Sequence, residues 1–289
     1  MKKNLLAITI AAAAAAPMAA QADASLYGEV GFGVQSVEGA ADVELTDASK
    51  FGVTGTAQAD TLEIGYQLEV GVDLGNATDE LSVKKGNISV GGEFGTVVVG
   101  RQTNAVADAT LDKVDVFVAP YTATANDAVM YHAPKMGAVS VVAGAAVDSS
   151  TDSNVDAYGV AATAEVAEGV SLVASYALEK TAADDVDVTS FGGSYAMGPV
   201  YAAATFQTVD NGTTSEDSLT VAGAYTAGAT TLAGRYMVDQ ETDAAETAVE
   251  VSYAMGESAD LYANYAMYNT EAEAAGASNT FKTGLRIKF

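Results

Sequence analysis

The sequence contains no cysteine, one histidine (His132) and only four prolines, and its 289 residues carry 13 lysines and arginines against 38 aspartates and glutamates. Without cysteine there is neither a disulfide framework nor a thiolate metal site. The shortage of basic residues argues against a nucleic-acid partner, whose phosphates demand a basic footprint. It argues equally against a polybasic membrane anchor. Beyond the first 22 residues nothing approaches 18 consecutive apolar residues, which excludes a helical membrane protein. Hydrophobic residues nevertheless make up 49 % of the chain, with 14 Tyr and 8 Phe, so an acidic disordered chain is excluded as well. Little proline, 28 glycines and frequent tyrosine in alternating sequence point to an all-β protein.

The N-terminus supplies the cellular context. Lys2 and Lys3 precede an apolar run from Leu5 to Ala16, and Ala20-Gln21-Ala22 is a small-x-small cleavage site. Residues 1–22 are therefore expected to be a secretory signal peptide, with residues 23–289 as the mature domain. The apolar run is shorter than the roughly 20 residues of a spanning helix. Removing Lys2 and Lys3 leaves 11 basic residues against 38 acidic ones, a net charge of −27.

Period-two alternation runs through the rest of the chain. Leu62, Ile64, Tyr66, Leu68 and Val70 alternate with Glu63, Gly65, Gln67 and Glu69, and Val249, Val251 and Tyr253 with Glu250 and Ser252. The chain ends on "TFKTGLRIKF", where Phe281, Leu285, Ile287 and Phe289 share one face and Lys282, Arg286 and Lys288 the other. Sixteen such segments are expected, starting near Leu26, Lys50, Leu62, Lys84, Thr96, Asp127, Ala138, Asp156, Gly169, Val188, Val200, Ser218, Ala229, Thr247, Asp260 and Asn279. Each is close to the 9–11 residues with which a tilted strand crosses a bilayer. Tight turns such as "YAMGPVY" and "YTAGATT" alternate with longer acidic stretches such as "DSSTDSNVD" and "VDNGTTSED". Short turns on one side and long loops on the other are the layout of a transmembrane antiparallel β-barrel. A soluble β-sandwich also alternates, but its turns keep no strict short–long rhythm. On the barrel reading the apolar face of the last strand meets lipid, and its cations meet water inside.

Several stretches resemble the general bacterial porins of Gram-negative outer membranes. "LYGEVGFGV" resembles their first strand and "SKFGVTG" their second; "GGEFGTVVVGRQ" resembles the hairpin before their third loop, "NDAVMYHAP" their sixth strand, and "GLRIKF" their closing strand. The resemblance implies a sixteen-stranded, homotrimeric diffusion channel whose third loop folds inward and narrows the pore. It implies outer-membrane lipid and lipopolysaccharide as surroundings, and a terminal aromatic, here Phe289, as the signal read by the barrel-assembly machinery.

The segment Gln102 to Asn126 lies in the matching place and is the longest without strand pattern. Val116, Phe117, Val118 and Pro120 are expected to pack on the inner wall, leaving Asp108, Asp112 and Asp115 for the constriction. The acidic Pro-Glu-Phe-Gly-Gly tip found in enterobacterial members is absent. The family places a basic wall opposite this loop. Alternation turns Lys50 and Lys85 into the lumen and Lys84 away from it, and Arg101 follows Gly100 at a strand end. With two lysines among the three candidates, a weaker and less rigid positive wall is expected.

Other constellations do not amount to chemistry. His132 stands in "MYHAP" with no catalytic motif around it. "DSSTDSNVD" has Ala157 where a calcium loop turns on glycine, and no closing glutamate. Gly28, Gly31 and Gly33 are followed by no helix, so they form no nucleotide fingerprint. The inward Tyr27, Tyr201 and Tyr262 are too scattered for a sugar-guiding aromatic track. No enzyme and no cofactor is expected. The expected function is passive diffusion of small hydrophilic solutes and ions with modest cation preference; the alternative is a plugged structural or adhesive barrel acting through its acidic loops.

Overall fold

The computed structural model describes residues 23–74, 81–118, 123–147, 155–180 and 185–289. Residues 1–22, expected from the sequence to be a signal peptide, Pro120 and most of the acidic stretch 148–156 lie outside the described residues.

The chain runs β1 (Asp23–Val37), β2 (Glu44–Asp47), β3 (Ser49–Ala59), β4 (Leu62–Val72), β5 (Leu81–Gly92), β6 (Gly95–Thr103), α1 (Ala105–Val114), β7 (Thr124–His132) and β8 (Val139–Ala146). It continues with β9 (Ala157–Ala167), β10 (Val170–Lys180), β11 (Asp185–Met197), β12 (Val200–Asp210), β13 (Ser215–Ala227) and β14 (Thr230–Asp239). The last elements are β15 (Ala245–Ala254), β16 (Ala259–Tyr268), α2 (Thr270–Ala274) and β17 (Thr280–Lys288). Successive strands pair antiparallel, and β17 returns to β1, so the sheet has no free edge. Strands β2 and β3 lie end to end along β1, against Phe32–Gln35 and Asp23–Glu29, and are interrupted at Ala48. They form one barrel strand, so the seventeen segments close a sixteen-stranded barrel.

The side-chain period assigns the two faces. Leu26, Phe32, Ile88, Leu172, Phe191, Leu232, Val251 and Leu285 stand exposed on one face of their strands. The buried residues lie on the other face and are small or polar: Ala128, Ala161, Ala203, Ala222, Ala233, Ser171, Glu69 and Glu250. Among the described residues no large side chain is fully buried. A sandwich would have put the large apolar side chains in a core between its sheets; here they point outward around a closed barrel, as lipid contact requires.

The tight turns use the left-handed backbone region. Gly169, between β9 and β10, has φ +71°, and its carbonyl accepts the Ala196 N–H at 2.8 Å. Gly228, at φ +62°, does the same work between β13 and β14. The seam is closed by the terminal residue: the Phe289 N–H donates to the Gly28 carbonyl at 3.0 Å, and the Gly28 N–H to the Phe289 carbonyl at 2.9 Å. The Phe289 ring occupies the place a side chain at Gly28 would take, with Cε2 at 2.8 Å from that position.

Candidate functional site

Loop 3 leaves the wall at the end of β6 and turns into the barrel. The Asn104 side-chain oxygen accepts the Ala107 N–H at 3.3 Å and caps α1. Val106, Thr110 and Val114, four residues apart, are buried on one helix face. Val114 packs over Ala203 and Ala222, with Val116 and Tyr201 beside it. The wall beneath is made of alanine and glycine, which lets the helix approach closely; a Cβ at Gly159 would sit 3.0 Å from Val106 Cγ1. Two polar ties hold the helix end: Lys113 Nζ donates to Ser171 Oγ at 2.9 Å, and the Tyr201 hydroxyl to the Lys113 carbonyl at 2.7 Å.

Beyond the helix the loop continues along the inner wall to the neighbouring strands β14 and β15. The Arg235 guanidinium lies 5.2 Å over the Phe117 ring and donates to Glu246 Oε1 at 2.7 Å. The Val118 N–H donates to Glu250 Oε1 at 2.7 Å. The return limb is clasped to the outgoing one, since the Asn104 N–H donates to the Ala123 carbonyl at 2.8 Å and the Ala123 N–H to Asp108 Oδ1 at 3.0 Å. The described part of loop 3 thus lies inside the barrel and is tied down along the inner wall as far as β15.

The three loop aspartates are not equivalent. Asp112 is exposed to the lumen, whereas Asp108 is 6 % exposed. Burial pushes the Asp108 carboxyl up to about 6; the Ala123 N–H and the Lys85 ammonium pull it down, and Asp112 and Asp115 push it further up. Burial also raises Asp112, against the pull of Lys113. Asp115 acts electrostatically on both Asp108 and Glu250, which places it between them.

On the facing wall, Lys50 Nζ lies 3.9 Å from Glu69 Oε2, and Glu69 also accepts the Tyr27 hydroxyl at 3.1 Å. Lys85 pairs with Glu69 across β4 and β5 and acts on Asp108, so Lys50, Lys85 and Asp108 come into one group. Arg101 does not join them. It pairs with Gly86, donates from Nε to the Lys84 carbonyl at 3.1 Å and from a terminal nitrogen to Asn126 Oδ1. Lys84 is a correction. The β4–β5 register slips between Glu69 and Val70, and this bulge carries Lys84 onto the same face as Lys85, its side chain lying across Gly71.

Alternation puts Glu250 and Arg286 on the inner face but gives them no role in the site. Glu250 is 3 % exposed and holds loop 3. Arg286 pairs with Glu29 at 3.7 Å and Asp260 at 3.2 Å, tying β17 to β1 and β16 on the inner face. Tyr27, Tyr201 and Tyr262 face inward as expected, but Tyr27 serves Glu69, Tyr201 serves loop 3, and Tyr262 lies against Gly33 and Gly284. His132 ends β7 opposite Thr96 and Val142.

Comparison with known proteins agrees with this architecture. The sequence pattern of the Gram-negative porin family matches residues 7–273. No curated protein matches the sequence. An anion-selective porin from Comamonas acidovorans has the same fold at 18 % identity and TM-score 0.74, over 93 % of this chain and 100 % of that one. The trimer form of OmpT, an outer membrane protein of Vibrio cholerae, superposes at 18 % identity and TM-score 0.75, over 93 % and 100 %. A double mutant of the Rh. blastica porin gives 20 % identity and TM-score 0.73, over 92 % and 100 %. Family and fold are those of a channel rather than an enzyme, and the chain belongs to the Gram-negative porins of the outer membrane.

Proposed function

We propose that the protein is a general diffusion porin: a homotrimer of water-filled barrels through which small hydrophilic solutes and ions pass down their gradients. The observation that carries this reading is loop 3, pinned inside the barrel by Tyr201, Arg235 and Glu250 while Asp112 stays exposed to the water. A loop held in that way narrows a pore by fixed geometry, and selection follows from width and charge. Asp108, Asp112 and Asp115 form the acidic side of the constriction and Lys50 and Lys85 the basic side. Arg101, at the outer end of β6, contributes to the same wall only from a distance. Residues 1–22 direct export, Phe289 addresses the chain to the barrel-assembly machinery, and the mature barrel sits among outer-membrane lipid and lipopolysaccharide.

Charge sets the preference. Charges at the mouths beyond a Debye length, about 8 Å at physiological salt, are largely screened, so the constriction dominates. There the five carboxylates of Glu69, Asp108, Asp112, Asp115 and Glu250 outnumber the four ammonium groups of Lys50, Lys84, Lys85 and Lys113. A cleft lined mainly by one sign concentrates counter-ions, and the result is a modest cation preference that fades as salt rises. The anion-selective relative from Comamonas acidovorans shares the fold at 18 % identity, and the fold by itself does not fix the sign of selectivity.

Liposomes carrying the purified protein test the reading. They are expected to swell in sugars at rates that fall with sugar size. Absence of swelling with the smallest sugars would favour a plugged, structural barrel and overturn the diffusion reading.

A further inference from the structure

The bulge in β5 gives Lys84 a position that strict alternation denies it. Val83 is exposed on the outer face and pairs with Val70, while Lys85 pairs with the inward, buried Glu69. One extra residue fits between these two pairs, and it is Lys84. Two consecutive lysines therefore face the lumen. The Lys84 side chain runs over Gly71, whose missing Cβ makes the room: a Cβ there would lie 3.3 Å from Lys84 Cγ. Gly71 is also the cross-strand partner of Lys50 on β3. Lys84 is thus laid towards Lys50, with Lys85 one inward position further along the same strand.

We propose that Lys50, Lys84 and Lys85 form a binding face for multivalent oxyanions, that is, for phosphate-bearing solutes, on the wall opposite loop 3. The proposal rests on the diffusion-channel reading. Adjacent strands lie about 4.8 Å apart, so three ammonium groups on β3 and β5, bridged by a bare glycine on β4, reach one phosphate group. Each ammonium is a compact charge with three donors that rotate to meet phosphate oxygens. The carboxylates beside this group include Glu69, 3.9 Å from Lys50 Nζ, Glu29, the cross-strand partner of Lys50 on β1, and Asp108 of loop 3, on which Lys85 acts. Attraction to three ammoniums grows with ligand charge, and a phosphate group offers an oxygen to each of them, which a monatomic anion does not.

Inorganic pyrophosphate, added to single channels in planar bilayers, is the probe. It is expected to lower the current in a concentration-dependent way, and Lys84→Gln to weaken that block roughly tenfold, the size of one charge-assisted contact. Lys135→Gln, at the turn after β7, is expected to keep the wild-type block. Lys84→Cys, in a chain with no other thiol, is expected to lose the block and to regain it after reaction with a water-soluble cationic methanethiosulfonate. Equal block in wild type and Lys84→Gln, or a Lys84→Cys channel that does not react, would overturn the proposal while leaving the channel reading intact. Absence of conductance steps in the wild type would instead remove the channel reading, and this inference with it.

Discussion

Replacing Glu250 separates the geometry of loop 3 from its charge. Its carboxylate accepts the Val118 N–H at 2.7 Å and is 3 % exposed, so the bond is charge-assisted and shielded from water. Such a bond contributes roughly 1.5–3 kcal/mol, and every 1.4 kcal/mol is tenfold in an equilibrium. Glu250→Ala should therefore raise the detached-to-docked ratio of residues 115–118 about 10- to 100-fold. Phe117 would keep its contact with Arg235, worth roughly 0.5–2 kcal/mol. The helix itself should stay, because Val114 on Ala203 and the Tyr201 tie are untouched. Glu250→Gln removes the charge but keeps an acceptor, so the two variants divide the effects. In single-channel recordings, open-channel flicker should rank Ala above Gln above wild type, while the zero-current potential moves alike in both variants. Equal flicker in all three proteins would refute the claim that this bond holds the loop.

The remaining predictions concern charge and closure. Asp108 has a docked carboxyl at about 6 against an ordinary 3.8, so the docked loop binds the proton more tightly than the released one. Docking is therefore most favourable at low pH and weakens as pH rises from about 4 through 6. Over the same window Asp108 adds a negative charge to the lumen as pH rises, so cation preference should increase between pH 4 and 7, and Asp108→Asn should reduce that increase. Joint replacement of Asp112 and Asp115 by Asn should move the zero-current potential towards anions and Lys50→Gln towards cations; unmoved potentials would place the constriction elsewhere. Deleting Phe289, or filling its seat with Gly28→Ala, should lower the yield of heat-modifiable trimer while surviving channels keep their conductance, and undiminished yield would contradict the seam contact.

Strand positions were legible because alternation is local. The expected starts at Leu62, Val200 and Asn279 fall within one residue of β4, β12 and β17. Alternation fails where the backbone breaks period two. The interruption at Ala48 splits the second barrel strand, and the bulge at Lys84 reverses the face assigned to that lysine. The apolar run Val116 to Val118 correctly suggested a loop packed on the inner wall, yet its partners Arg235 and Glu250 lie more than a hundred residues away. Long-range contacts of this kind leave no spacing in the sequence. Glu250 carried one faint signal, an acid in mid-strand on the lumen face, and nothing local separated it from the acids on neighbouring strands.

The central claim is that an open barrel, narrowed by an anchored acidic loop, conducts ions by passive diffusion. Planar-bilayer recording of the purified wild-type protein across a potassium chloride gradient addresses it most directly. The account predicts stepwise, ohmic conductance and a zero-current potential of cation-selective sign that shrinks as both salt concentrations are raised. A membrane that stays silent, or a potential of anion-selective sign, would contradict it.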